Sequence, residues 1–134
     1  MQKKAEKIGS NKSKSVNEVA PLTPEVEKGI VARCLGNIGL CVRARKVVLG
    51  TELVCDALKS GAAKLVISVG DASQNTAKRL RDRCAYYGVR LMVLPCTGEE
   101  LAAAVGRGGV TAAVAITDAS MVKMIEKAVH PLGI

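Results

Sequence analysis

The sequence predicts a three-layer α/β/α sandwich around a four-stranded mixed sheet, and three observations point there. Short apolar runs rich in β-branched residues alternate with segments of helical period, in the order α-β-α-β-α-β-α-β-α. The second run, Lys64-Leu65-Val66-Ile67-Ser68-Val69, is apolar almost without interruption, as a strand covered on both faces is. The chain has 134 residues and 49% hydrophobic composition, which is enough for one core. A central sheet with helices on both faces satisfies all three.

Taken in order, residues 1–22 carry Lys3, Lys4, Lys7, Lys12 and Lys14 among Ser, Asn and Glu with few large apolar groups, and a disordered lysine-rich tail is expected there. A single domain is expected over residues 23–134. Thr23-Pro24-Glu25-Val26-Glu27 joins a capping hydroxyl, a proline at the first helical position and acids in the first turn. The helix it opens is expected to run to about Asn37 and to end at Gly36 and Gly39. Its apolar side is read as Val26, Ile30, Val31, Ala32, Cys34 and Leu35.

A strand follows from Lys46 to Leu49, then a helix from Thr51 to Lys59 with Leu53, Val54, Ala57 and Leu58 inward, stopped by Gly61. After the second strand, Gly70-Asp71-Ala72-Ser73 turns into a helix on which Ala77, Leu80, Cys84 and Tyr87 recur at helical spacing. Its other faces hold Lys78, Arg79, Arg81 and Arg83, read first as a solvated face and second as an RNA contact. Arg90 to Leu94 is the third strand, stopped by Pro95. Thr97-Gly98-Glu99-Glu100 has the spacing of a capping box, ahead of Leu101, Ala104 and Val105. Arg107-Gly108-Gly109 connects to a fourth strand from Thr111 to Thr117. Asp118 caps a last helix with Ala119, Val122, Ile125 and Val129 inward, and Pro131 stops it beyond His130.

Composition narrows the function. The formal charge is +8, which favours nucleic acid, an anionic membrane or an acidic protein partner. There is no Phe or Trp, and the two tyrosines are adjacent at Tyr86 and Tyr87, so a sheet that stacks several bases is not available. A nucleic acid would be held through backbone and shape. The five cysteines, Cys34, Cys41, Cys55, Cys84 and Cys96, contain no CxxC pair and have one histidine as company, so neither a metal site nor a cofactor is expected. Buried reduced thiols in a cytoplasmic protein are the simplest reading. No apolar run approaches the ~20 residues that span a bilayer, so no membrane partner is expected.

The stretch Arg43-Ala44-Arg45-Lys46-Val47-Val48-Leu49-Gly50-Thr51-Glu52-Leu53-Val54 combines three cations, a buried strand, a glycine break and a helix start. Free N–H groups and the positive dipole end of such a helix hold phosphate, and Arg43, Arg45 and Lys46 lie close by in sequence. Neither GxxxxGK[ST] nor GxGxxG is present. Taken alone, the stretch reads first as a turn glycine beside a solvated cationic face.

Longer segments resemble a known group. Ile38-Gly39-Leu40-Cys41-Val42-Arg43-Ala44, Gly50 and Ser60-Gly61-Ala62-Ala63-Lys64-Leu65-Val66 are similar to the kink-turn-binding ribosomal protein superfamily of the L-seven-Ae and L-thirty-e type. Asp71-Ala72-Ser73-Gln74-Asn75-Thr76, Cys84-Ala85-Tyr86-Tyr87, Glu99-Glu100-Leu101, Val105-Gly106 and Ala115-Ile116-Thr117-Asp118 continue the likeness in the order of its small bacterial members, over roughly residues 28–127. The resemblance implies the same sandwich and a function in binding structured RNA, most often a kink-turn. It places the RNA contact at Gly50, Thr51, Glu52 and Leu53, with a second contact from the loop at about Pro95 to Glu100, hence Thr97, Gly98 and Glu99. Relatives carry Asn-Glu-x-x-Lys where this chain has Glu52-Leu53-Val54-Cys55-Asp56, so a cation facing phosphate has become an anion. Arg45 stands where bacterial relatives commonly have glycine.

The leading expectation is therefore a non-enzymatic, monomeric RNA-binding protein of the ribosome or its assembly, acting on structured rRNA through Arg43, Arg45, Lys46 and the Gly50-Thr51 helix start, with ribosomal or assembly proteins as further partners. The alternative is a protein-interaction module of the same fold that has lost kink-turn recognition, which Glu52, Leu53 and Asp56 suit. An enzyme is the third reading. Asp71 and Ser73 follow a strand's C-terminal end, where α/β sheets place active sites, but helix capping accounts for both and no histidine or second acid is tied to them by spacing.

Overall fold

The computed structural model describes residues 22–134. It contains α1 (Pro24–Arg43), β1 (Val47–Leu49), α2 (Thr51–Ser60), β2 (Leu65–Val69), α3 (Gln74–Tyr87), β3 (Leu91–Leu94), α4 (Gly98–Ala104), β4 (Ala113–Ile116) and α5 (Ala119–Val129), followed by a 3-10 turn over His130–Leu132. Apart from Leu22, the expected lysine-rich tail lies outside the described residues.

The strands form one mixed sheet in the order β1-β4-β2-β3. β4 runs antiparallel to β1, with Val48 opposite Ala115, and antiparallel to β2, with Ile67 opposite Val114. β2 and β3 are parallel, with Ile67 beside Met92. These directions bring the C-terminal ends of β1, β2 and β3 and the N-terminal end of β4 to one rim of the sheet. The turns that leave or enter there are residues 50–51, 70–73, 95–98 and 108–112.

Alternation along the strands divides the core into two layers. Leu65, Ile67, Met92, Leu94, Val114 and Ile116 face α1, α4 and α5, where Ile38, Leu101 and Ile125 are fully buried against them. Val66, Ala113 and Ala115 face α2 and α3, meeting Val54, Leu58 and Leu80. The residues on this second side are small, so α2 rests close on β4. Each large aliphatic side chain buried in these layers contributes about 1.5–3 kcal/mol, which lets a chain without Phe or Trp form a core.

All five cysteines are buried free thiols. Burial first, then the nearby thiols of Cys96 and Cys41, pushes Cys34 up to about 12, and burial also raises Cys84 and Cys96 to about 11. Cys34, Cys84 and Cys96 therefore remain protonated near neutrality and act as small apolar residues.

Helix α1 departs from the sequence expectation. It continues through Gly36 and Gly39 to Arg43, because Val31, Cys34, Ile38 and Cys41 form one buried stripe that outweighs the cost of two helical glycines, about 1 kcal/mol each. Gly39 also has a packing role, since a Cβ there would stand 3.1 Å from the Ala104 carbonyl oxygen of α4. The inward faces need correction too. Val26, Ala32, Leu53, Tyr87 and Ala119 are exposed, and the strands are one to three residues shorter than their patterns, so Lys46, Lys64, Arg90, Thr111 and Thr117 lie outside them.

The end of α1 explains an unusual residue. Lys46 N–H donates to the Cys41 carbonyl at 2.9 Å and Arg45 N–H to Val42 at 3.0 Å, the paired bonds of a left-handed helix termination. Gly61, Gly88 and Gly106 occupy the same position at the ends of α2, α3 and α4, but α1 uses Arg45, the only non-glycine residue with positive φ among the described residues, at 60°. Left-handed backbone costs an L-residue roughly 1–2 kcal/mol, against roughly 0.5–1 kcal/mol for the extra freedom of glycine when unfolded. Arg45→Gly is therefore expected to stabilise the fold by about 0.5–1 kcal/mol in a denaturant titration. A lower midpoint would show that the arginine side chain makes a compensating contact.

Candidate nucleic-acid interface

The first turn of a helix carries N–H groups with no partner inside the helix, and side chains usually take them. Four of the five α-helices here follow that rule: Thr23 accepts from Val26 N–H, Ser73 from Thr76, Thr97 from Glu100 and Asp118 from Met121. Helix α2 does not. Its cap is Gly50, at φ 95° and ψ 149°, with no side chain to offer. Gly50 N–H donates across the sheet to the Ala113 carbonyl at 2.9 Å, and the Gly50 carbonyl accepts from Val54 N–H at 2.9 Å. The amides of Thr51, Glu52 and Leu53 are left without a backbone or side-chain partner among the described residues. They point out of the rim at the positive end of the helix dipole.

Glu52, on that first turn, would oppose an anion if its charge were free, but it is held by α3. Arg79 Nη1 donates to Glu52 Oε2 at 2.6 Å and Nη2 to Oε1 at 3.0 Å, a planar fork. The hydrogen bond from Arg79, then its charge, and more weakly the charge of Arg83 hold the Glu52 carboxyl below the usual glutamate range. The Arg79 guanidinium is raised by the same pairing, with Cys55 and Asp56 adding to it. Beside this pair Leu53 is 54% exposed, and Val110, on the neighbouring turn of the rim, is 69% exposed.

The other expected site residues are placed differently. Thr97 Oγ1 accepts from Glu100 N–H at 3.1 Å while Glu100 Oε1 accepts from Thr97 N–H at 2.8 Å, completing the expected capping box. Gly98 is buried, its N–H donating to Asp71 Oδ1 at 2.9 Å and its carbonyl accepting from Thr111 N–H at 3.0 Å. Helix α4 thus starts on the shared rim with its cap engaged, and Glu99 is exposed beside it. Arg43, Arg45 and Lys46 are exposed at the far end of β1, and even Lys46, the nearest in sequence, is four residues and roughly 13 Å from Gly50 at the rise of an extended strand. Closeness in sequence does not bring those cations to the helix start. Arg79 and Arg83 do stand beside it, and the i,i+4 spacing on α3 was the sequence signal for their shared face.

Asp71 and Ser73 both have structural duties. Ser73 caps α3, and Asp71 ties two rim turns together through Gly98, a role that capping did not anticipate. Among the described residues no cluster of His, Cys, Asp and Glu is arranged to hold a metal, and no helix is long and apolar enough to cross a membrane.

Fold and rim together define a small α/β/α domain that presents an uncapped helix start at the edge of a mixed sheet. The chain belongs to the ribosomal protein L7Ae/L30e/S12e/Gadd45 family, whose pattern matches residues 32–126. Among curated relatives it is 52% identical over 52 residues to the RNA-binding protein YlxQ of Bacillus subtilis (strain 168), covering 39% of this chain and 52% of the relative. It is 36% identical over 64 residues to the protein of the same name from Enterococcus faecium, covering 48% of this chain and 62% of that one. The matches thus span about half to three-fifths of those relatives. Among solved structures, a Bacillus halodurans protein of unknown function superposes with a TM-score of 0.68 at 29% identity, covering 74% of this chain and 98% of that one. The Giardia lamblia 15.5kD RNA binding protein superposes at 0.66 with 16% identity, covering 87% and 93%, and shows the shared fold.

The fork between Glu52 and Arg79 makes a testable statement about charge. A carboxyl whose pKa is lowered by folding contributes stability above the unfolded glutamate range, and the contribution disappears as pH falls through the folded value. Titrated by NMR, the Glu52 carboxyl is expected to have a midpoint below that of an ordinary glutamate. In Arg79→Ala the midpoint should move upward, with Arg83 keeping part of the depression. An unchanged midpoint would show that the fork does not persist in solution.

Proposed function

We propose that this protein is a non-enzymatic RNA-binding protein that seats the sugar-phosphate backbone of a structured RNA on the open amides of Thr51, Glu52 and Leu53. The observation that supports this reading most strongly is the contrast among helix starts: in four the cap side chain takes a first-turn N–H, and in α2 no side chain takes one. Amides fixed by a rigid helix can grip phosphate or a guanine edge at little cost in ordering. Leu53 and Val110 supply apolar contact beside them, and Glu99 and Gly98 bound the far end of the rim. Family membership and the naming of the two curated relatives as RNA-binding proteins agree with this.

The target we propose is a bent, kink-turn-like element of rRNA, bound by a monomer in the cytoplasm during ribosome assembly or on the ribosome. Phosphates that pass along β1 would meet Lys46, Arg45 and Arg43 at its other end, and β1 is an edge strand whose outer side pairs with no other strand among the described residues. A protein-docking role has one observation in its favour, the exposed Leu53 between the acids Glu52 and Asp56.

The test is a binding titration against a kink-turn RNA and a perfect duplex of equal length, at several salt concentrations, with Asp56→Lys in parallel. The kink-turn is expected to bind more tightly than the duplex. If about three phosphates are neutralised, affinity should fall roughly 40-fold between about 50 and about 200 mM salt. Asp56→Lys should tighten binding, since it replaces an anion near the phosphate path with a cation. No binding at low salt would refute RNA recognition, and equal binding to both RNAs would refute kink-turn preference.

A further inference from the structure

Helix α3 carries exposed chemistry beyond its fork to Glu52. Lys78 is paired with Asp82 at 2.7 Å and Arg79 with Glu52, which leaves Arg81 and Arg83 with no ion pair to another described residue. Next on the helix, Tyr86 is 81% exposed. Its ring meets that of Tyr87 edge to face, with centroids 4.9 Å apart and planes at 83°, a favourable geometry that braces one ring against the other. Asp82, Arg83, Tyr86 and Tyr87 line a shallow open depression of about 410 Å³. The one acid in it is already engaged by Lys78, whose hydrogen bond holds the Asp82 carboxyl below the usual range.

We infer that the Arg83, Tyr86 and Tyr87 surface of α3 is a second RNA contact, which stacks one unpaired base of a single-stranded flank on Tyr86 and meets its phosphate with Arg83. An aromatic face beside the Arg83 guanidinium, which forms no ion pair with another described residue, matches the two parts of a nucleotide, a flat base and an anion. A protein interface of ordinary size needs about 800 Å² on each partner with an apolar centre, and α3 surrounds the tyrosines with charge instead. One ring serves one base, which is compatible with a chain too poor in aromatics for a multi-base platform. The two contacts adjoin, because the charge of Arg83 also acts on Glu52 at the start of α2. The inference rests on the RNA-binding reading and extends its path across α3.

The chain has no Trp, so Tyr86 and Tyr87 supply its intrinsic ultraviolet emission and both sit in the depression. The intact protein is titrated with a short unstructured RNA while tyrosine emission is followed, and separately with a kink-turn RNA with and without a single-stranded flank. Saturable quenching is expected, together with roughly tenfold tighter binding of the flanked RNA, within the range for one stacked base. Tyr86→Ala should abolish the flank's gain and leave the flankless RNA unaffected, and Tyr86→Phe should keep the gain. A gain that survives Tyr86→Ala would overturn the inference, as would absent quenching with equal affinity for both RNAs. Quenching by an acidic peptide and not by RNA would overturn it in favour of a protein partner. Saturable, Tyr86-dependent quenching by the unstructured RNA without binding of the kink-turn core would sink the kink-turn reading alone and support the α3 contact.

Discussion

β4 is hydrogen-bonded antiparallel on both of its edges, to β1 through the pairs from Val47 and Ile116 to Leu49 and Val114, and to β2 from Leu65 and Ile116 to Ser68 and Ala113. β1 has no other partner in the sheet, so the first strand depends on one that comes more than sixty residues later. The same pairing fixes Gly50, whose N–H donates to Ala113 at the last rung. Ala113 and Ala115 are small and face α2, so the helix sits close over the strand that positions its start. A bulkier residue at either place would lift α2 and move its open amides relative to the rim. The geometry of the proposed contact is thus set by sheet pairing and by two methyl groups.

Charge around that start is arranged rather than simply positive. Two acids, Glu52 and Asp56, occupy the exposed flank of α2, and α3 answers with Arg79 and Arg83. A carboxylate on the first turn also favours the helix through its dipole. When forked to Arg79 it stabilises the helix end without presenting a free negative charge to a ligand. The fork is exposed, so its main consequence is orientation of charge, since exposed pairs add little to stability. Arg45 shows a related preference for charge over backbone ease, because the left-handed termination of α1 is occupied by a cation where three other helices use glycine.

Much of the fold was legible because local rules agree with one another. The alternation of strand and helix patterns, the capping residues Thr23, Thr97 and Asp118, and the uninterrupted run in β2 all survive in the structure. The end of α1 was not legible, because Gly36 and Gly39 are breakers by local propensity and only packing against α4 and the sheet overrides them. Leu53 was misplaced inward for a similar reason, since helical period cannot say whether a residue at the margin of an apolar stripe is covered. At the candidate site, the glycine break and helix start could be read directly. Whether Arg43, Arg45 and Lys46 accompany them could not, because that depends on the direction of β1. The fork from Arg79 joins residues 27 positions apart and has no local signature.

In the proposed function the open amides of α2 are the primary RNA contact. NMR amide shifts followed during addition of a kink-turn RNA test it most directly, because each backbone N–H reports its own environment. Thr51, Glu52 and Leu53 are predicted to show the largest changes, saturating with the binding curve, while the capped starts of α1 and α5 stay still. Saturated binding with those three amides unmoved, and with changes confined to another surface, would contradict the account.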